Sequence, residues 1–115
     1  WGENMKAGMA NCWNCGSPSE NGVENHRTMP VGSFPANGFG LHDTAGNVME
    51  WVQDCWHMPE PGEVHDATVW EKTGCQVRVF RGGSWESDRC EVQSATRKQA
   101  SSETRFQAGG FRLAR

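Results

Sequence analysis

Apolar and polar residues alternate most clearly in one short stretch of this chain. Residues 77–81 read Val-Arg-Val-Phe-Arg, and this alternation predicts a half-buried β-strand. Residues 93–97, Gln-Ser-Ala-Thr-Arg, and residues 110–114, Gly-Phe-Arg-Leu-Ala, are two further strand candidates. Long loops separate the three stretches, so the pattern predicts a small antiparallel or mixed sheet that carries loops on one side.

The segment 43–54 is compatible with either a short helix or a strand. Asp43 could cap a helix whose later apolar residues fall near one face. Gly46 weakens the start of that helix. If Gly46 and Asn47 form a loop instead, the chain from Val48 onward reads as a strand, and the residues alone leave both alternatives open.

The composition indicates a single loop-rich domain with an aromatic core. The 115 residues include 6 Trp and 5 Phe but no Tyr, and 36% belong to the hydrophobic set. The 14 Gly and 5 Pro favour turns and loops over long helices. A small chain of this kind needs additional fastening by disulfides or by a metal ion.

Charge and hydropathy argue against two classes of function. The formal net charge is −3 and no basic stripe is present, so we expect no nucleic-acid partner. No apolar run approaches the roughly 18 residues that a membrane-spanning helix requires, so we expect no membrane span.

Cysteine usage favours an oxidising compartment, which for this chain means an extracellular or periplasmic location. Cys12 and Cys15 form a C-x-x-C pair, and Cys55 and Cys75 flank a polar loop that a disulfide would close. Cys12 and Cys15 could bridge locally or hold other partners, and one of the five cysteines is left over if the rest pair internally. A zinc site would need a second close pair at the usual spacing, and the sequence has none.

Two acids, Asp43 and Glu50, lie on either side of the flexible Gly46-Asn47 pair. Calcium takes six to eight oxygen ligands from carboxylates and backbone carbonyls, and two acids at this spacing can wrap one ion. The alternative is that Glu50 only caps local backbone N–H groups.

Three motifs together carry a resemblance to a known family. They are Gly-Phe-Gly-Leu-His-Asp-Thr-Ala-Gly-Asn-Val-Met-Glu-Trp at 38–51, Arg-Gly-Gly-Ser-Trp at 81–85 and Gly-Phe-Arg-Leu-Ala-Arg at 110–115. The set resembles the C-terminal half of the formylglycine-generating enzyme, or sulfatase-modifying factor, family. The resemblance covers roughly residues 1–115 and implies a missing N-terminal portion of the same fold.

The fold that this resemblance implies is a variant of the C-type lectin fold. It is α+β and loop-rich, with a small antiparallel sheet and little helix. In this reading the chain is a single domain or the C-terminal fragment of a larger one. Trp51 and Trp85 would be packing residues and Ser84 would bond the backbone near a glycine turn, while Arg97 and Arg112 would pair with interior carboxylates.

The resemblance also implies two structural calcium ions. For the first, Asp43 and Glu50 would give side-chain oxygens, and Gly46 and Val48 would give carbonyl oxygens. For the second, the spacing departs from the family pattern by about two residues, and an asparagine stands where an aspartate is usual. The residues that match this second site are Asn11, Cys12, Asn21 and Val23.

Copper is not an expected cofactor. Members of the family that oxidise a sulfatase cysteine bind copper(I) between two thiolates, and Ser87 and Val92 stand at those two positions. Cys90 lies between them, and it is the one weak candidate for a catalytic residue. Sulfoxide synthases that use non-haem iron carry their histidine ligands on a separate helical domain and use a tyrosine, and both are absent from this sequence.

The favoured function is therefore binding of a protein, peptide or small-molecule ligand. Residues 86–108 are polar and lie between two motifs, and in lectin-fold proteins diversified by retroelements the equivalent stretch forms the ligand surface. The loop 57–74 would contribute as well. The alternative is an oxidoreductase of the formylglycine-generating or non-haem iron sulfoxide synthase type. The ligand-binding candidates are Trp85, Glu86, Asp88, Arg89, Glu91, Gln93 and Arg105.

Overall fold

The computed structural model describes residues 5–16, 19–20, 23–24, 26–59, 61 and 68–113. These residues contain strands and turns but no helix, and therefore no helix long and apolar enough to cross a membrane. The strands are β1 (Ser19–Glu20), β2 (Val23–Glu24), β3 (Met49–Cys55), β4 (Val77–Arg81), β5 (Lys98–Ser101) and β6 (Gly109–Phe111).

Four of these strands form one sheet in the order β5-β4-β3-β6. β4 runs antiparallel to both β3 and β5, whereas β6 pairs with β3 in parallel. The sheet is thus small and mixed, which is one of the two arrangements that the strand pattern predicted. β1 and β2 form a separate antiparallel pair.

The ambiguous segment 43–54 becomes a strand from Met49 onward. Asp43, Gly46 and Asn47 all have left-handed backbone conformations, with φ of 54°, 76° and 65°. A right-handed helix cannot pass through three such residues. The strand that follows pairs with β4 on one side and β6 on the other, so its backbone groups are satisfied by neighbours that the local sequence does not reveal.

The strand prediction at 77–81 is confirmed as β4. The prediction at 93–97 is wrong, because Thr96 N–H donates to the carbonyl of Gln93 in a tight turn and the strand begins at Lys98. Near the C-terminus the strand covers the 3 residues Gly109–Phe111, whereas the prediction was 110–114.

Aromatic rings form the core beneath the sheet. Phe80 is buried between Trp51, with ring centroids 3.7 Å apart, and Phe106, with centroids 5.0 Å apart in an edge contact. Trp51 and Trp85 are half-buried, which agrees with their predicted packing role. These rings are larger than the other buried apolar side chains, which besides Phe34 are alanine, valine and cysteine.

Two disulfides fasten the loops, and both join cysteines that the sequence offered as candidate pairs. Cys12 is bonded to Cys15 and Cys55 is bonded to Cys75, while Cys90 is free and exposed. The first disulfide packs against Val92 in a small buried cluster. Two disulfides in a small domain fit an oxidising compartment.

Candidate functional site

A buried pair of asparagines joins the N-terminal segment to the turn before β3. Asn11 Nδ2 donates to Asn47 Oδ1 at 3.2 Å and to the carbonyl of Arg27 at 2.9 Å. Asn47 Oδ1 also accepts from Met29 N–H at 2.8 Å, and Asn47 Nδ2 donates to the Met29 carbonyl at 3.1 Å. These contacts fix the orientation of both amides, because a flipped amide would set oxygen against oxygen.

Asn11 Oδ1 is left without a hydrogen-bond partner among the described residues, although Asn11 is only 1% exposed. A buried acceptor of this kind costs about 1–3 kcal/mol unless another group satisfies it. The oxygen of the amide is therefore available to a cation or a bound water.

Gly46 allows the N-terminal segment to approach the turn closely. Asn47 N–H donates to the carbonyl of Asn11 and Gly46 N–H donates to the carbonyl of Gly82, each at 2.7 Å. A Cβ at Gly46 would lie 2.3 Å from the carbonyl oxygen of Asn11. Only glycine fits this contact, so Gly46 has a packing role in addition to its predicted role in a calcium site.

The acids of the first predicted calcium site flank an arginine. Arg112 makes a two-point contact with Glu50, with Nε at 3.0 Å from Oε2 and Nη2 at 2.6 Å from Oε1, and Nη2 also donates to the His42 carbonyl. The hydrogen bonds that Arg112 donates to Glu50 raise the pKa of the Arg112 guanidinium, and the negative charges of Glu50 and Asp43 add to this effect. The predicted pairing of Arg112 with a carboxylate is confirmed.

Asp43 also has a protein partner, because its Oδ2 accepts from Gly32 N–H at 2.7 Å. Val48 lies half-buried between the turn and β3. The described residues contain no cluster of three or more His, Cys, Asp or Glu side chains that could hold a metal. The predicted calcium ligands are mostly carbonyl and amide oxygens, which such a cluster would not include.

The second predicted calcium set is described only in part. Asn11 and Cys12 are buried side by side at the start of the short disulfide. Val23 belongs to β2, for which the backbone alone is described, and Asn21 lies outside the described residues.

The segment after β4 is held by two buried serines. Ser84 N–H donates to Ser87 Oγ at 3.1 Å, and Ser84 Oγ accepts from Glu86 N–H at 3.2 Å. Both serines are buried, at 1% and 3% exposure. The predicted structural role of Ser84 is confirmed, and Ser87 takes part in the same turn.

Val92 occupies a tight position in the core. It packs against the disulfide of Cys12 and Cys15, and a Cβ at Gly83 would lie 2.6 Å from its Cγ1 atom. Ser87 and Val92, the two positions at which thiolates would hold copper, are thus both buried structural residues.

An open cavity of about 930 Å³ lies beside this segment. Its walls come from three separate parts of the chain: Met5, the turn around Phe39 with Thr44 and Ala45, and the turn 89–95. The free thiol of Cys90 is on one wall. A cavity of this size is in the range of small-molecule and peptide-side-chain sites.

Arg89 and Gln93, two of the predicted ligand-binding residues, line this cavity. Glu91 lies beside it and pairs with Lys98, whose Nζ is 2.7 Å from Glu91 Oε1. The hydrogen bond from Lys98, followed by that from Asp88 N–H, lowers the pKa of Glu91.

The remaining predicted ligand residues lie away from the cavity wall. Glu86 Oε1 accepts from Gln107 Nε2 at 3.3 Å, and Asp88 is paired through its backbone with Trp13. The backbone N–H of Trp85 donates to the Asn47 carbonyl, and Arg105 is an exposed residue after β5.

Sequence reasoning missed the cavity wall formed by Met5, Asn37, Phe39, Thr44 and Ala45. One signal was available, because Phe39 stands between two glycines in the strongest motif. Arg97 was predicted to pair with a carboxylate, but its guanidinium lies over the Trp56 ring, 5.1 Å from the centroid. In the loop 57–74, residues 60 and 62–67 lie outside the described part.

Comparisons with a family model, with known sequences and with solved structures all point to the same family. The chain matches the family described as the sulfatase-modifying factor enzyme 1-like domain over residues 1–115. It is 31% identical to the formylglycine-generating enzyme of Mus musculus over 122 residues, which covers 99% of this chain and 32% of the mouse protein.

Two solved structures are similar as well. PvdO from Pseudomonas aeruginosa superposes with a TM-score of 0.75 and 36% identity, covering 90% of this chain and 38% of PvdO. Treponema denticola variable protein 1 gives a TM-score of 0.72 and 28% identity, covering 90% of this chain and 34% of that protein. The chain therefore spans only 32% to 38% of the length of these proteins.

Proposed function

Because the chain belongs to the sulfatase-modifying factor enzyme 1-like domain family, we propose that it is a calcium-stabilised, lectin-like binding domain. In this proposal it recognises a protein, peptide or small-molecule ligand through residues 86–108 and does not carry out copper-dependent oxidation. One of the similar structures is a variable protein, and another relative is a formylglycine-generating enzyme, so the family includes more than one kind of member.

The observation that carries the proposal is that Ser87 and Val92, the two copper positions of the family, are buried in the scaffold. Ser87 is buried in a serine turn and Val92 packs on a disulfide, so both positions serve the scaffold. Cys90 is the one cysteine outside a disulfide. A copper(I) ion held by two thiolates would need a second free thiol, which the other four cysteines do not supply.

A binding role is supported by the position of this segment. Its buried residues fix the backbone, while Arg89, Cys90 and Gln93 face the open cavity. A rigid turn that presents side chains to an open cavity suits recognition, because little conformational entropy is lost when a ligand binds. The disulfides and the asparagine pair provide that rigidity.

For calcium, the second site has the stronger support. Asn11 Oδ1 is a buried oxygen without a hydrogen-bond partner in the described residues, and an amide oxygen is a ligand that calcium accepts. With the Cys12 and Val23 carbonyls and Asn21, it would tie the N-terminal segment to the region of β1 and β2. A bound calcium ion would be the partner that this oxygen lacks among the described residues.

The first site fits less completely. Glu50 already contacts Arg112 through both oxygens, and a calcium ion would lie close to that positive charge. A carboxylate has about four lone-pair positions, so Glu50 could bind calcium and Arg112 at the same time. The cost would be the repulsion between the calcium ion and the guanidinium. Asp43, Gly46 and Val48 would supply the other oxygens.

Incubation with copper(I) and a peptide that contains Cys-x-Pro-x-Arg separates binding from oxidase function. Mass spectrometry then detects conversion of the peptide cysteine to an aldehyde. We expect no aldehyde from the wild-type protein. The matched control is the double variant Ser87→Cys/Val92→Cys, which restores two thiols at the family spacing and should bind copper(I) where the wild type does not. Aldehyde formed by the wild-type protein would overturn the proposal.

A further inference from the structure

We propose that the cavity between Phe39 and Arg89 binds an anionic ligand with an aromatic or other apolar body. This inference rests on the proposed binding function and specifies its ligand class. The shared chemistry is a carboxylate or similar anion joined to an apolar group. A free organic acid and the C-terminal end of a peptide both carry it.

The apolar part of the proposal comes from the cavity wall. Five of its lining residues are apolar: Met5, Phe39, Ala45, Val92 and Ala95. Phe39 is 90% exposed, so most of its ring is available for contact with a ligand. Burying an exposed phenylalanine side chain is worth about 1.5–3 kcal/mol, and a ligand that covers this ring gains part of that energy.

The turn that carries Phe39 is ordered before any ligand binds. Asn37 Oδ1 accepts from the N–H groups of Phe39 and Leu41, at 2.9 Å and 3.1 Å. Asn37 also pairs with Leu41 and Gly40 through its backbone, at 2.9 Å in each case. The ring is therefore presented by a fixed turn and not by a loose loop, which lowers the entropic cost of binding.

The anionic part of the proposal comes from Arg89, which is the one charged residue among the described residues that line the cavity. One of its N–H groups donates to the Met5 carbonyl, which orients the guanidinium and leaves further donors for a ligand. Two acids lie close to Arg89 along the chain: Asp88 forms no ion pair with it among the described residues, and Glu91 is paired with Lys98. The positive charge of Arg89 is therefore not neutralised by Glu91, and an anion is the complementary partner.

Two dyes with the same aromatic body test both parts. Anilinonaphthalene sulfonate is anionic, and phenylnaphthylamine has the same rings without the sulfonate; each is titrated by fluorescence. We expect the anionic dye to bind about tenfold more tightly, and Arg89→Gln to abolish that difference. Phe39→Ala should weaken both dyes about tenfold. Phe111→Ala is the matched control, because Phe111 is also exposed, at 73%, but lies on β6 away from the cavity lining.

Cys90 gives a second measurement at the same place. Its thiol lines the cavity and is exposed, so iodoacetamide should alkylate it, and bound anionic dye should slow this reaction. Displacement of the dye by phenylacetate would assign the site to small organic acids. Displacement only by a peptide that ends in a free phenylalanine carboxylate would assign it to peptide ends, and both results support the proposal.

Equal affinity for the two dyes would overturn the anion preference while leaving ligand binding through 86–108 in place. An equal loss of dye binding in Phe111→Ala and Phe39→Ala would show that the dye occupies another face, and would overturn the assignment to this cavity. Failure of the underlying function has a separate signature, which is aldehyde formation in the copper assay.

Discussion

Gly46→Ala gives the sharpest test of how the N-terminal segment is joined to the sheet. Gly46 has φ of 76°, and a non-glycine residue in this region costs about 1–2 kcal/mol. The added Cβ would also lie 2.3 Å from the Asn11 carbonyl oxygen and 2.9 Å from its carbon. These are backbone atoms that cannot rotate away, so the two segments must move apart.

That movement stretches the hydrogen bond from Asn47 N–H to the Asn11 carbonyl and the one from Gly46 N–H to the Gly82 carbonyl. Each such bond contributes about 1 kcal/mol net. With the backbone strain, the expected loss is about 3 kcal/mol or more, which is a large part of the roughly 5–15 kcal/mol that stabilises a typical domain.

Two neighbouring glycines provide matched controls for this prediction. Gly40 has the same φ of 76° but open space around its missing Cβ, and Gly38 has open space without a positive φ. Urea unfolding followed by tryptophan fluorescence should give losses that rise from Gly38→Ala, near zero, through Gly40→Ala, about 1–2 kcal/mol, to Gly46→Ala. If Gly46→Ala and Gly40→Ala lose the same stability, the close contact with Asn11 is not present in solution.

Two further predictions concern charged pairs on the surface. The pKa of Glu91 is lowered by Lys98 and by Asp88 N–H, so this pair stabilises the fold above the ordinary pKa of 4.5, and that stability is lost as the pH falls through the lowered value. Urea unfolding of Lys98→Met should show a loss of about 0.5 kcal/mol at neutral pH that disappears in acid, and a loss that persists in acid would contradict the assignment. Arg112→Gln should cost about 0.5–1 kcal/mol in the same assay by removing the two-point contact with Glu50, and Glu50→Gln in that background should then cost little more, so a large additional loss would argue against the pairing.

The sequence predicted β4 because its alternation reflects a strand with one face on the core, where Val79 and Phe80 are buried. The sequence left β3 undecided between helix and strand. A helix is excluded by the left-handed backbone at Gly46 and Asn47, and the strand is fixed by pairing with β6 far along the chain, and neither can be read from the local sequence. The strand β5 was missed since Lys98–Ser101 has no apolar pattern and is fixed by its pairing with β4.

The candidate site was also predicted only in part. The turn 89–93 was identified from its position between two motifs, and Arg89 and Gln93 do border a cavity. Phe39 and Met5 were not identified, because a wall assembled from distant segments leaves no periodic signal in the sequence. Counting the cysteines showed only that one of the five is left over if the rest pair internally, and the structure identifies that one as Cys90. The lone Asn11 oxygen could not be foreseen, because it depends on which acceptors surround the amide nitrogen.

Thermal unfolding in calcium and in a calcium chelator tests the central claim, that a bound ion braces this scaffold, most directly. At a calcium concentration about 100 times the dissociation constant, binding adds about 2.7 kcal/mol, which corresponds to a rise in melting temperature of roughly 10 °C for a domain of this size. Asp43→Asn and Asn11→Ser then assign the rise to the first or the second site. The account predicts a higher melting temperature in calcium that at least one of these variants reduces, and identical melting of the wild-type protein in calcium and in chelator would contradict it.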